Sequence, residues 1–146
     1  MKFLGLFSVF AFALLTSARE PPAELVIETT FKPAVCEQAH VGDAIEVHYT
    51  GTLFSNGNKF DSSFDRHAPL PLTLGVGQVI KGWDEGLEGM CLKEKRTLTI
   101  PAHKAYGSRG FGSIIPANSA LVFDVELVKL KGKTEPDAPK DTHEEL

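Results

Sequence analysis

The chain of 146 residues is poor in the groups that usually carry chemistry. It has two cysteines, Cys36 and Cys91, and they lack the Cys-x-x-Cys spacing of a redox-active pair. The histidines at 40, 48, 67, 103 and 143 show no short metal-ligand spacing, so each reads as a surface histidine and no metal is expected. There is no Gly-x-Ser-x-Gly elbow and no phosphate loop. The glycines at 75 and 77 are followed by one at 82 rather than 80, with no parallel βαβ unit behind them, which argues against a dinucleotide fingerprint. No cofactor is expected. Asn56, Asn58 and Asn118 all lack a hydroxyl residue two places on, so N-glycosylation has no acceptor. Basic charge is scarce as well: 15 Lys and Arg against 19 Asp and Glu give a net charge of -4, or -5 without Lys2. A chain so charged offers no patch for nucleic acid.

Long apolar runs are equally rare. The one that exists, Phe3 to Leu15, follows Met1 and Lys2 and runs into Thr16-Ser17-Ala18, the layout of a secretory signal peptide cleaved after Ala18. It is too short for a membrane span, which takes about 20 residues, so the mature chain is expected to be soluble and without a span. The remainder suits one domain, and a hydrophobic content of 42% suffices for a core. In the oxidising compartment that the leader implies, Cys36 and Cys91 can pair in only one way, and a disulfide is predicted. On the loop-entropy model it restricts the unfolded chain by about 4 kcal/mol.

Residues 19–24 form a polar, proline-containing start, and Leu25 to Phe31 reads as a strand stopped by Pro33. From Ala44 to Leu53, Ile45, Val47 and Tyr49 alternate with Glu46, His48 and Thr50, as in a strand with one wet face. Asn56-Gly57 marks a turn into an arm holding Phe60 and Asp61, and Pro69 to Leu74 gives a short strand. Lys95 to Ile100 alternates again. Leu121 to Leu130 is the strongest strand signal, with Leu121, Phe123, Val125 and Leu127 on one face. The pattern is α+β: an antiparallel sheet covered by one short helix. No repeat is visible, and residues 131–146 have the composition of a disordered tail.

The only tryptophan stands in the stretch Gly75 to Gly89, which glycine keeps interrupting. Val79, Ile80 and Trp83 recur at the spacing that sets them on one face of a short helix, while Gly82 and Gly86 admit close neighbours. That arrangement describes the floor of an apolar pocket. A protein without metal, cofactor or evident nucleophile can still act on a bond whose barrier is conformational, and the peptide bond before proline is such a bond.

Taken singly, Trp83, Asp61, Tyr106 and the phenylalanines read as core or turn residues; their joint order is specific. Val47-His48-Tyr49-Thr50-Gly51, Phe60-Asp61-Ser62-Ser63, Gly-Gln-Val-Ile-Lys-Gly-Trp ending at Trp83, Ala105-Tyr106-Gly107, Ile114-Ile115-Pro116 and Leu121 to Leu127 together closely resemble the FKBP family of peptidyl-prolyl cis/trans isomerases. The resemblance covers Leu25 to Leu130. It implies a bent antiparallel β-sheet wrapped over one short α-helix, with a pocket between them. Trp83 would be its floor, Tyr49, Phe60 and Phe123 its aromatic walls, Val79 and Ile80 its aliphatic side, and Ile115 a contribution from the loop above. Asp61 would be oriented by Tyr49 and Arg66. The Tyr106 hydroxyl and the Ile80 N–H would each take a substrate carbonyl. Catalytic roles thus fall to Asp61, Tyr106, Phe60 and Trp83.

Three positions depart from the family pattern on the rim: Leu70 for an aromatic residue, Gln78 for the Glu of some members, and Phe111 for a histidine. The resemblance further implies Pro-containing client polypeptides and macrolide inhibitors as ligands, a monomer, and the secretory-pathway branch. The terminal His143-Glu144-Glu145-Leu146 is similar to an endoplasmic-reticulum retrieval signal, so residence in the lumen and a retrieval receptor are expected, with secretion as the alternative. A module that holds Pro-containing segments without turnover is the rival reading. Retention of Tyr106, Asp61 and Trp83 favours the enzyme.

Overall fold

The computed structural model describes residues 18–131 and the backbone of 133–134. The leader up to Ser17 and the terminal His143 to Leu146 lie outside the described residues. Seven strands form a single antiparallel sheet: β1 (Val26–Phe31), β2 (Ala44–Leu53), β3 (Lys59–Ser62), β4 (Leu70–Thr73), β5 (Lys95–Ile100), β6 (Leu121–Leu130) and β7 (Lys133–Thr134). Their order is β1-β5-β6-β2-β3, with β4 on β2 and β7 on β6. Among the described residues the single α-helix, α1, spans Lys81–Gly86. The α+β architecture expected from the strand patterns is therefore the one observed, and the sheet reaches two residues into the segment read as tail.

β2 and β6 form the centre because each carries an unbroken apolar face. Ile45, Val47, Tyr49 and Leu53 are buried on β2, and Leu121, Phe123, Val125 and Leu127 on β6. Strict alternation would turn Leu130 outward, yet it is buried. A bulge is responsible. Val47 pairs with Leu127 and Glu46 with Lys129, so Val128 is an extra residue and the inward phase shifts by one. The β2–β3 hairpin turns at Asn56-Gly57, where the Gly57 N–H donates to the Leu53 carbonyl at 2.8 Å and Asn56 Oδ1 accepts from the Asn58 N–H at 2.9 Å.

α1 lies close on β5 because it has glycine where it touches. A Cβ at Gly82 would stand 2.4 Å from Ile100 Cγ2, and one at Gly86 would stand 2.8 Å from Leu98 Cδ1. The helix begins later than periodicity suggests. Ile80 is its N-cap, with ψ of 149°, and Val79 precedes it in a loop, so of the three apolar residues only Trp83 is helical.

Cys36 and Cys91 form the expected disulfide, with Cα atoms 5.0 Å apart. The joined segments also pair through backbone: the Ala39 N–H donates to Met90 O at 2.8 Å and the Gly89 N–H to Ala39 O at 2.9 Å. Beside them Glu94, 1% exposed, accepts from the Cys91 N–H at 3.1 Å and is paired with Arg96. Arg96 in turn donates to the carbonyls of Gly86 and Glu88 at 2.9 and 3.0 Å, which ends α1 against β5. A buried charge is tolerable only with such partners.

Candidate active site

A cleft of about 400 Å³ opens between the inner face of the sheet and α1. Trp83 forms its floor and is 4% exposed. The indole meets two rings edge-on, Tyr49 with centroids 5.0 Å apart and Phe123 at 5.2 Å. Phe60 stands edge-on to Phe123 at 5.5 Å. Rings so crossed support each other's orientation and leave a faceted apolar hollow. The indole Nε1 is buried and has no hydrogen-bond partner among the described residues. Leu70, Val79 and Ile80 add aliphatic lining.

The cleft's one carboxylate is Asp61, and it is held on two sides. The Tyr49 hydroxyl donates to Asp61 Oδ2, Arg66 Nη1 donates to Oδ1 at 2.6 Å, and Arg66 Nη2 donates to the Tyr49 oxygen at 2.7 Å. The triangle is set by local backbone. Ser62 caps the 3-10 turn Ser63–Arg66 by accepting from the Phe64 N–H at 3.3 Å, and His67 ends it in the left-handed region. Ser63, fully buried, accepts from the Tyr49 N–H at 2.8 Å and so fixes the turn against β2. Burial alone raises the Asp61 pKa, but the bonds from Tyr49 and Arg66 outweigh it and hold the carboxyl below its ordinary range. Burial, aided by its bond to Asp61, pushes the Tyr49 phenol up.

Tyr106 leans into the same cleft from the loop after β5. Among the described residues its hydroxyl has no protein partner, and burial first, then the charge of Asp61, raises its pKa, so the group stands as a neutral donor. Phe111 packs on the Tyr106 ring at 5.3 Å but is 57% exposed and does not line the cleft. Neither do Ile115, which is 3% exposed within the core, and Arg66, which acts through Asp61. The structure thus gathers Tyr49, Phe60, Asp61, Leu70, Val79, Ile80, Trp83, Tyr106 and Phe123 into one lining. It leaves Arg66, Phe111 and Ile115 behind it or at its edge.

Gly77, not among the site residues named from sequence, also lines the cleft, as does Gln78, noted above as a rim position. Gln78 Oε1 accepts from the Thr73 N–H at 2.7 Å. Asp84, on α1, accepts from the N–H groups of Gly75 and Gly77 at 2.8 and 2.9 Å. The acceptors here are side chains but the donors are backbone amides, which every residue but proline has, so only the acidic residue in the helix's first turn was there to be noticed. A larger hollow, about 490 Å³, lies by β2, β4 and the end of β6; it has no aromatic lining, and its charges are the ion pair Lys129–Glu46 at 3.3 Å. Among the described residues no group of three or more His, Cys, Asp or Glu is placed to hold a metal, and no helix is long and apolar enough to cross a membrane.

Comparison with known proteins agrees with this geometry. A family model described as FKBP-type peptidyl-prolyl cis-trans isomerase matches residues 36–128. FK506-binding protein 2 of Kluyveromyces lactis is 47% identical over 132 residues, covering 90% of this chain and 94% of the relative. FK506-binding protein 2B of Rhizopus delemar is also 47% identical, over 131 residues, covering 88% of this chain but 63% of the relative. The crystal structure of AtFKBP13 superposes with a TM-score of 0.66 at 39% identity, covering 75% of this chain and 94% of that one. The family model over residues 36–128, the 47% identity to a relative covered to 94% and the fold shared with AtFKBP13 place the chain in the FKBP-type peptidyl-prolyl cis-trans isomerase family.

Proposed function

We propose that the protein accelerates cis/trans rotation of Xaa-Pro bonds in client polypeptides of the secretory pathway, and that it does so in the Trp83 cleft. The observation that carries this reading is the apolar hollow itself, walled by Tyr49, Phe60 and Phe123 and roomy enough to admit a prolyl ring with its neighbours. A planar amide has a large resonance dipole that water solvates well. The twisted form has lost that resonance, so a water-poor site favours it over the ground state. Lowering a barrier of about 20 kcal/mol by about 7 quickens rotation by about five powers of ten, with no covalent step. In this mechanism the free Tyr106 hydroxyl and the Ile80 N–H each hold a substrate carbonyl. Asp61, kept charged and oriented by Tyr49 and Arg66, sets the polar edge of the cleft. Phe60 and Trp83 shape the apolar surface that the prolyl ring meets.

The same cleft is proposed to accept macrolides of the tacrolimus and rapamycin type, since the relatives carry FK506-binding names. Leu70, Gln78 and Phe111 would then tune strength on the rim. The leader and the terminal His143 to Leu146 support a lumenal protein, retrieved by a receptor that reads those four residues. The decisive experiment is a protease-free NMR exchange measurement on a Leu-Pro peptide. Acceleration at micromolar protein, abolished by rapamycin, is the expected result. No acceleration would refute the enzyme and leave a module that only holds Pro-containing segments.

A further inference from the structure

The segment from Gly75 to Ile80 supplies Gly77, Gln78, Val79 and Ile80 to the cleft, yet it belongs to no strand, and its last residue, Ile80, is only the N-cap of the helix. Val79 and Ile80 pack partly on the core at its far end, but Val76, between the two glycines, is 59% exposed and gives no anchor there. Side-chain acceptors hold it at both ends. Gln78 ties it back to β4 through the Thr73 N–H, and Asp84 ties it to α1 through two N–H groups.

The Asp84 tether is specific in form. Gly75 and Gly77 have φ of 78° and 73°, values that side-chain-bearing residues rarely adopt. Those conformations turn two amides, two residues apart, onto the two oxygens of one carboxylate. A carboxylate in a helix's first turn commonly serves the unsatisfied amides of its own helix, but α1 has no side-chain cap and Asp84 has both oxygens on the loop. Asp84 also follows Trp83 directly. The loop that bears Val79 and the Ile80 N–H is thereby indexed to the residue that bears the cleft floor. Hydrogen bonds to a carboxylate are about twice as strong as neutral ones, which suits a tether at the end bearing Gly75 and Gly77, where Val76 is exposed.

We propose that Asp84 is a positioning residue for substrate capture: by gripping the Gly75 and Gly77 amides it fixes the height and direction of the Ile80 N–H above the indole. The proposal deepens the isomerase reading and rests on it. A contact that holds the substrate equally in its planar and twisted forms affects KM rather than kcat. The test is Asp84→Asn, isosteric and at the surface, which keeps one acceptor oxygen and converts the other position to a donor. Amide hydrogen exchange at Gly75 or Gly77 should quicken. For a Leu-Pro peptide, KM should rise roughly tenfold, about 1.4 kcal/mol, with kcat little changed and the melting temperature preserved. Asp84→Glu, which keeps both oxygens, should recover most of the lost KM. Unaltered exchange at both glycines, or a wild-type KM in a variant whose glycine amides have loosened, would overturn the proposal. An inactive wild-type protein would sink the isomerase reading instead, and the amide exchange would still judge the tether.

Discussion

Tyr49 does three things from one position, and the cleft depends on all of them. Its ring stands against Trp83, its hydroxyl donates to Asp61, and its backbone N–H is taken by Ser63. A strand residue can do this because β2 turns its side chain inward while the adjoining 3-10 turn supplies the polar partners. Titration of the site follows. Asp61, held below its ordinary value of 3.8, favours the fold above that pH and loses its contribution only as pH falls through its lower native value. Tyr49 and Tyr106, raised above 10.0, favour the fold below that pH and withdraw that support as pH climbs past it. Exchange rates on a prolyl peptide should therefore be flat between 3.8 and 10.0 as far as these groups are concerned; a midpoint inside that interval would mean that another group governs the cleft. Trp83→Ala should cost about 3 to 5 kcal/mol in denaturant unfolding and remove activity together, since one side chain is both core and floor. Unchanged melting with unchanged rate would contradict that double role.

Among the elements, α1 is six residues long and could not persist alone, because a helix of fewer than about 12 residues is marginal in water. It is kept by Gly82 and Gly86 against β5 at one side and by Arg96 on its terminal carbonyls at the other. The disulfide belongs to this same corner, its cysteines are separated by 55 positions, and neither lines the cleft. Reduction should lower stability by about 4 kcal/mol on the loop-entropy model while the folded fraction keeps its turnover. Denaturant titration with and without reductant reads the first part, and exchange kinetics below the unfolding range read the second. Loss of turnover in a still-folded reduced protein would show that the corner reaches the cleft. β1 depends on the same region: all six of its residues are exposed, and Thr29 donates to Glu94 at 3.3 Å.

At the scale of the molecule, the sheet was legible wherever one face is wet and the other dry, as in β2 and the first part of β6. It ceased to be legible at Val128, because a bulge changes the phase without changing composition, and at Val79 and Ile80, because glycine-permitted loop backbone mimics a helical period. The ring cluster was readable only through the family resemblance, since Phe60 and Phe123 taken singly read as core. The tether from Asp84 was not, since its partners are amides. The lone indole has a practical consequence. With a single tryptophan in 146 residues, seated beneath the cleft and against the Tyr49 and Phe123 rings, all tryptophan emission originates from the proposed binding site. Titrating the unlabelled protein with a prolyl peptide or a macrolide should change that emission saturably, and Trp83→Phe should abolish the signal. The molecule carries its own optical gauge of occupancy, in the residue on which the chemistry is proposed to rest.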